Sequence, residues 1–303
     1  GDHRVPDPIG GHRWSQADMT EPFSVVPASR LKSVLRLPTG LARLAWWLTW
    51  LLPVMWLQVS LSGCAATAAG TTAMQAEPLT DFDEPDTRKR ARLRLTLASN
   101  YFEQGQTSVA LDEIKQSLAA DPNYIPAYVL RGLIYMRLNN SVLAEDSFQR
   151  ALRINPRDGD TLHNYGWFVC ESSRHAQAID LFDRALASPT YGGRVTTHLA
   201  KGICQVRAGQ LAEAEDSFTK SYKLDAANPI TGYNLADLLY RRGDHNRAQF
   251  YVRRINNGEF ANAETLWLGI RVERQLGNAT AVEQLAQQLG RRYAQSPQWT
   301  LYQ

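Results

Sequence analysis

The sequence predicts an all-α protein, an α-solenoid of about six antiparallel helix pairs over residues 88–303. Two observations predict it. First, small residues recur at Ala110, Ala144, Ala178, Ala214, Ala248 and Val282, with spacings of 34, 34, 36, 34 and 34. Periods of this length mark stacked supersecondary units, each unable to bury its apolar face alone. Further positions keep the same register. Ala98, Gly132, Gly166, Gly202, Ala236 and Ile270 lie twelve residues before. Ile114, Phe148, Phe182, Phe218, Val252 and Ala286 lie four residues after, and Ser117, Ala151, Ala185, Ser221, Ile255 and Leu289 three further on. Second, Gly105, Gly209, Gly243 and Gly277 divide their repeats in two. A glycine just past a helix end admits the positive φ that closes it.

The elements follow in order from the N-terminus. Residues 1–40 carry five prolines and no helical or strand periodicity. They read as disordered, or as an upstream segment outside the translated protein, with Met19 a plausible start. From Leu41 to Ser62 the chain is almost wholly apolar, and Arg30, Lys32, Arg36 and Arg43 precede or open the run. A basic region, an apolar core and small residues at its end describe an export signal, read here as residues 41–63. A run of this length is also long enough to cross a bilayer. Leu61-Ser62-Gly63-Cys64 separates the two readings, because it resembles the lipobox of bacterial lipoproteins. That resemblance implies that Cys64 takes a diacylglycerol and becomes the first residue of the mature chain. A thiolate is the side-chain nucleophile suited to this transfer. The only prosthetic group expected is this covalent lipid. Ala65 is not the aspartate that retains such proteins in the inner membrane, so the expected place is the periplasmic face of a Gram-negative outer membrane. Residues 64–87 are small and polar and read as a flexible tether with a mean reach of roughly 25 Å.

The repeated segment resembles the tetratricopeptide repeat, two antiparallel helices, A and B, in about 34 residues, stacking into a right-handed superhelix. Gly or Ala on helix A lets helix B approach closely, and the large residue on B fills the space beside the contact. Pro122 and Pro156 close repeats one and two, since proline cannot continue a helix. The 36-residue spacing places two extra residues near Ser188–Arg194, read as a longer loop. Repeat six, with Ile270, Val282 and Ala286, reads as a degenerate capping repeat of the kind solenoids need at their ends.

By the same resemblance, the concave face is lined by positions five, nine and twelve of each A helix. Repeat one supplies Leu95, Ser99 and Phe102, and repeat two Val129, Leu133 and Met136. Repeat three supplies His163, Trp167 and Cys170, and repeat four Leu199, Ile203 and Val206. Repeat five supplies Tyr233, Asp237 and Tyr240, and repeat six Trp267, Arg271 and Arg274. The first four sets are mostly apolar and fit a groove for an apolar or amphipathic peptide. Arg88, Lys89, Arg90, Arg92 and Arg94 open the first helix, where positive charge opposes the macrodipole. They could meet lipid phosphates or an acidic partner, or form a solvated face. Cys170 and Cys204 stand one repeat apart. An oxidising compartment permits a bridge, but their offset positions could aim the Cβ atoms apart, and the spacing leaves both states open.

Composition excludes some classes. The 33 Lys and Arg against 30 Asp and Glu leave a net charge of +3, too mild to imply nucleic acid. No phosphate loop, metal-ligand spacing or paired carboxylates appear, and no small-molecule substrate is expected. His163 and Cys170 are seven apart on one helix, but nothing in the sequence supplies an orienting third group or an oxyanion hole. The expectation is a binding protein, not an enzyme.

Six such repeats behind a lipid tether resemble the type IV pilus biogenesis/stability lipoproteins of the PilW/PilF family, most tellingly over LASNYFEQGQTSVALDEIKQSLAADPNYIPAYVLRGLIYMRL and LHNYGWFVCESSRHAQAIDLFDRAL. The resemblance implies a pilotin whose groove binds the pilus secretin subunit and promotes its localisation and multimer assembly at the outer membrane. The alternative is a periplasmic adaptor for cell-wall enzymes or outer-membrane barrel assembly. Loss of twitching motility would favour the first, and altered cell shape or general barrel defects the second.

Overall fold

The computed structural model describes residues 84–303, which lie within one unit, Thr80–Gln303. The signal segment, Cys64 and nearly all of the tether lie outside the described residues. Six helix pairs run in order: α1 (Asp86–Glu103) with α2 (Thr107–Ala120), α3 (Ile125–Arg137) with α4 (Ser141–Ile154), and α5 (Gly159–Glu171) with α6 (His175–Ala187). Then come α7 (Arg194–Arg207) with α8 (Leu211–Leu224), α9 (Pro229–Arg241) with α10 (His245–Asn256), and α11 (Ala263–Gln275) with α12 (Ala279–Arg292). A short α13 (Pro297–Tyr302) follows, and there is no strand among the described residues.

Each A–B turn is closed by one residue in the left-handed region. The four predicted glycines have φ of 77°, 76°, 82° and 74°, and Asn139 (φ 56°) and Ser173 (φ 60°) complete the set in repeats two and three. The backbone need is the same in all six repeats. Asn tolerates this conformation through local hydrogen bonding, whereas Ser173 adopts it at a cost.

Within a pair, the approach of B to A is set by what lies under one large B side chain. A Cβ at Gly132 would sit 2.6 Å from the Phe148 ring, one at Gly166 2.8 Å from Phe182, and one at Gly202 2.5 Å from Phe218. All three rings are buried. Repeats one and five divide the same volume differently, with Ala98 beneath Ile114 and Ala236 beneath Val252, all fully buried. Repeat six inverts the pair, with Ile270 on A and Ala286 on B, both buried. Repeat six nonetheless forms a complete helix pair, α11 with α12. The closing role falls to α13, which packs on α11 and α12 and lays Trp299 over Gly290, where a Cβ would meet the indole at 2.7 Å.

Curvature follows from which helices touch. A helices pack on one another from α1 to α3, α3 to α5, α5 to α7 and α9 to α11, while each B helix packs on the next A helix and makes no comparable contact with other B helices. A stack whose A row is the closer one bends toward it, so the A helices line the concave side.

The two extra residues of the 36-residue period are not a plain surface loop. They carry Tyr191 into the interior, where its ring lies against Gly159 and Gly193, and a Cβ at either glycine would come within 2.4 Å of it. The Tyr191 hydroxyl is 2.7 Å from Thr197 Oγ1 on α7. Burial pushes its pKa up to about 12.

The turn geometry sets an expectation for urea denaturation. Ser173→Gly should stabilise the protein by about 0.5–1 kcal/mol by removing left-handed strain. Gly243→Ala, with open space around its Cβ but φ of 82°, should destabilise it by about 1 kcal/mol.

Candidate functional site

The concave face carries an apolar stripe, though not with the full predicted membership. Leu95 and Phe102 on α1, Leu133 and Met136 on α3, and Trp167 on α5 are half-buried, with their inner sides against the core. Ile203 and Val206 on α7 and Tyr233 and Tyr240 on α9 do the same further along. Four predicted groove residues do not belong to this surface. Val129 (9% exposed), His163 (7%), Leu199 (8%) and Cys170 (1%) are buried. Position five of these repeats points into the seam between neighbouring A helices, so it fills the core.

His163 shows why. Its Nδ1 lies 2.8 Å from Thr197 Oγ1, the same hydroxyl that meets Tyr191. Thr197 can accept from Tyr191 and donate to a neutral imidazole. Burial lowers the His163 pKa to about 4, so the ring is neutral at ordinary pH.

Cys170 and Cys204 form a disulfide between α5 and α7, with their Cα atoms 5.9 Å apart, so the offset positions converge rather than diverge. The catalytic pairing weighed from the sequence does not arise in this arrangement, because Cys170 has no free thiol and His163 is engaged with Thr197. Among the described residues no group of His, Cys, Asp and Glu is placed to hold a metal ion, and no helix is long and apolar enough to cross a membrane.

The basic cluster of α1 is largely bound within the protein. Arg88 pairs with Asp121 on the loop after α2 and stacks over Tyr124. Arg92 meets Glu84 at 2.9 Å, and Arg94 meets Glu113 at 3.0 Å. Arg88 and Arg94 tie the first helix to the second element of its pair at Asp121 and Glu113, while the arginine side chains stay partly exposed.

Guanidinium groups along the groove were missed by the sequence reading. Arg137 lies 3.8 Å over the Phe102 ring and donates to the Phe102 carbonyl at 2.8 Å. Arg207 lies 5.1 Å from Trp167 and bonds Glu171 at 2.5 Å. In both cases an arginine at the end of one A helix covers an aromatic ring of the preceding one. The signal was present, since Arg137, Arg207 and Arg241 share one repeat position.

Helix pairs of this length, with a small-under-large contact and a concave A face, define a tetratricopeptide-repeat protein. Residues 95–159 and 171–229 match the family described as tetratricopeptide repeat. The crystal structure of PilW, a widely conserved type IV pilus biogenesis factor, superimposes with a TM-score of 0.64 at 30% identity, covering 70% of this chain and 97% of that one. The type IV pilus assembly protein PilF of Pseudomonas aeruginosa is 26% identical over 250 residues, 82% of this chain and 96% of its own length. A structure of Pseudomonas aeruginosa PilF shares the fold with a TM-score of 0.65 at 24% identity, covering 72% of this chain and 98% of that one. The chain belongs to the PilW/PilF family of type IV pilus biogenesis proteins.

Two measurements test the α5–α7 seam. Closing a loop of 34 residues constrains the unfolded chain by about 4 kcal/mol, so reductant, or Cys204→Ala, should lower the urea midpoint substantially without changing the circular-dichroism spectrum of the folded state. An unchanged midpoint would count against a stabilising bridge. The second concerns acid. Native His163 titrates near 4 and its unfolded counterpart near 6.5. Between these values the unfolded chain holds a proton that the native one lacks, so stability falls as pH drops through this window, by about 3 kcal/mol in all. His163→Gln should flatten that slope in denaturation curves taken from pH 7 to 4.

Proposed function

We infer that this protein is a pilotin: a lipoprotein anchored through Cys64 to the periplasmic face of the outer membrane, which binds the subunit of the type IV pilus secretin and promotes its assembly into the multimer. One observation carries most of the weight. The repeat array spans almost the whole length of the PilW and PilF chains, and its concave side keeps a row of half-buried apolar side chains from Leu95 to Tyr240. Such a row supports capture of one amphipathic segment, with apolar side chains desolvated in the groove and no bond made or broken. Two acyl chains hold a protein at a bilayer where one holds it only transiently, so an anchored pilotin keeps its cargo at the membrane where the ring forms.

The test is the heat-resistant secretin multimer in outer-membrane fractions, resolved by semi-denaturing gel. The multimer should fall sharply in a deletion strain and be misplaced in Cys64→Ala. A Leu133→Asp, Trp167→Asp variant, which puts charge into the stripe, should match the deletion while keeping its own abundance. A normal multimer in all strains would sink the reading and move the search to cell-wall and barrel-assembly partners.

A further inference from the structure

The last two A helices break the apolar pattern of the groove. At the positions that hold Leu, Met, Trp, Ile and Val earlier in the array, α9 places Asp237 and Tyr240, and α11 places Arg271 and Arg274. The Arg271 guanidinium lies 4.9 Å from the centroid of Tyr240 and 5.9 Å from that of Trp267. The Arg274 guanidinium lies 5.8 Å from Tyr302 on α13. A ring face holds a planar cation without using its N–H donors. Both guanidiniums are thus held in place with donors to spare.

The protein does not use those donors up. Asp237 bonds Arg241 at 2.7 Å and stands 3.7 Å from Arg271, beyond hydrogen-bond reach. The Arg271 Nε is shielded from solvent and has no acceptor. Glu264 lies close enough to act on Tyr233 and Glu283 lines the same depression as Arg274 and Tyr302, so Arg241, Arg271 and Arg274 share this end with three carboxylates, of which Asp237 is the one placed between Arg241 and Arg271. Arg271 and Arg274 are three apart on one helix and therefore neighbours on its surface. Guanidinium forks match carboxylates in a bidentate way that neither water nor a point cation reproduces. The rings of Tyr240, Trp267 and Tyr302 beside them suit apolar side chains, which a phosphate headgroup does not bring.

We propose that repeats five and six form a second docking surface, one that takes an acidic segment of a protein partner. Its carboxylates sit on Arg271 and Arg274, and an adjoining apolar side chain lies against Tyr240 and Trp267. The surface extends the groove of repeats one to four with different chemistry. It does not depend on the secretin being the protein that supplies the segment.

The test uses the full chain purified in detergent and two fluorescein-labelled decamers, one alternating glutamate and leucine, the other glutamine and leucine. Fluorescence anisotropy should give at least tenfold tighter binding for the glutamate peptide. Arg274→Gln, an exposed position whose loss spares the core, should weaken it severalfold. Arg271→Gln with Arg274→Gln should weaken it at least tenfold, and Arg271→Lys should weaken it too because the fork is lost. A double change of equal charge on the convex side, Arg150→Gln with Arg153→Gln, should leave binding unaltered. Equal affinity for the two peptides overturns the proposal, as does full binding by Arg274→Gln with the double variant folded by circular dichroism. Flotation with phosphatidylglycerol vesicles that needs both arginines, with no peptide binding, also overturns it and makes the surface a membrane contact. The secretin assay reads none of these outcomes, so the two readings fail separately.

Discussion

The spacing of each helix pair is set by the contact between a small residue on one helix and a large residue on the other. Everything else in the solenoid is arranged around it. Interiors tolerate neither a void nor an added methylene without cost, so the pair must fill a nearly constant volume. The chain meets this in three ways: Gly beneath Phe in repeats two to four, Ala beneath Ile or Val in repeats one and five, and Ile opposite Ala in repeat six. Because the pair volume stays similar while its division shifts, successive helix pairs keep one geometry and each B helix packs on the next A helix all along the array. The groove is a by-product of that continuity. Its side chains are those left over once the crossing contact and the seam between A helices have been filled.

That hierarchy explains what could be read from the sequence. The period, the helix pairing and the glycine turns are local, each written within one 34-residue unit and then repeated. The concave membership was legible only in part, because depth depends on how far one A helix stands from the next. His163, Val129 and Leu199 share a repeat position with the half-exposed Leu95 and Tyr233, and only the spacing between repeats separates them. Ser173 at a left-handed turn was hidden because serine gives no signal for positive φ. Tyr191 was hidden because an insertion reads as a loop until its side chain is seen to reach Gly159. The disulfide was open for the same reason: two positions one period apart can converge or diverge depending on helix rotation.

Charge is distributed by a similar rule. The basic run of α1 opposes its helix dipole, and the chain answers with carboxylates from the preceding residues and the following helix, Glu84, Glu113 and Asp121. Glu273 on α11 is nearly sealed from water. Burial pushes its pKa up, but hydrogen bonds from Arg253, Asn278 and Gln249 outweigh that and keep it ionised. Along the groove, arginines stack on aromatic rings and cover apolar surface while their N–H groups reach nearby acceptors, the Phe102 carbonyl for Arg137 and Glu171 for Arg207.

The seam between repeats three and four carries one further consequence. Arrays of near-identical units can grow or shrink by duplication and loss of whole repeats, because each junction resembles the next. Here one junction is singular. It holds the only 36-residue step, a tyrosine seated on two glycines and a covalent bridge, and none of these recurs elsewhere in the array. A recombination event that inserted or removed a unit across this point would separate partners that have no substitutes. The array is therefore modular on either side of the junction and indivisible at it, which fixes the register between the first three repeats and the last three.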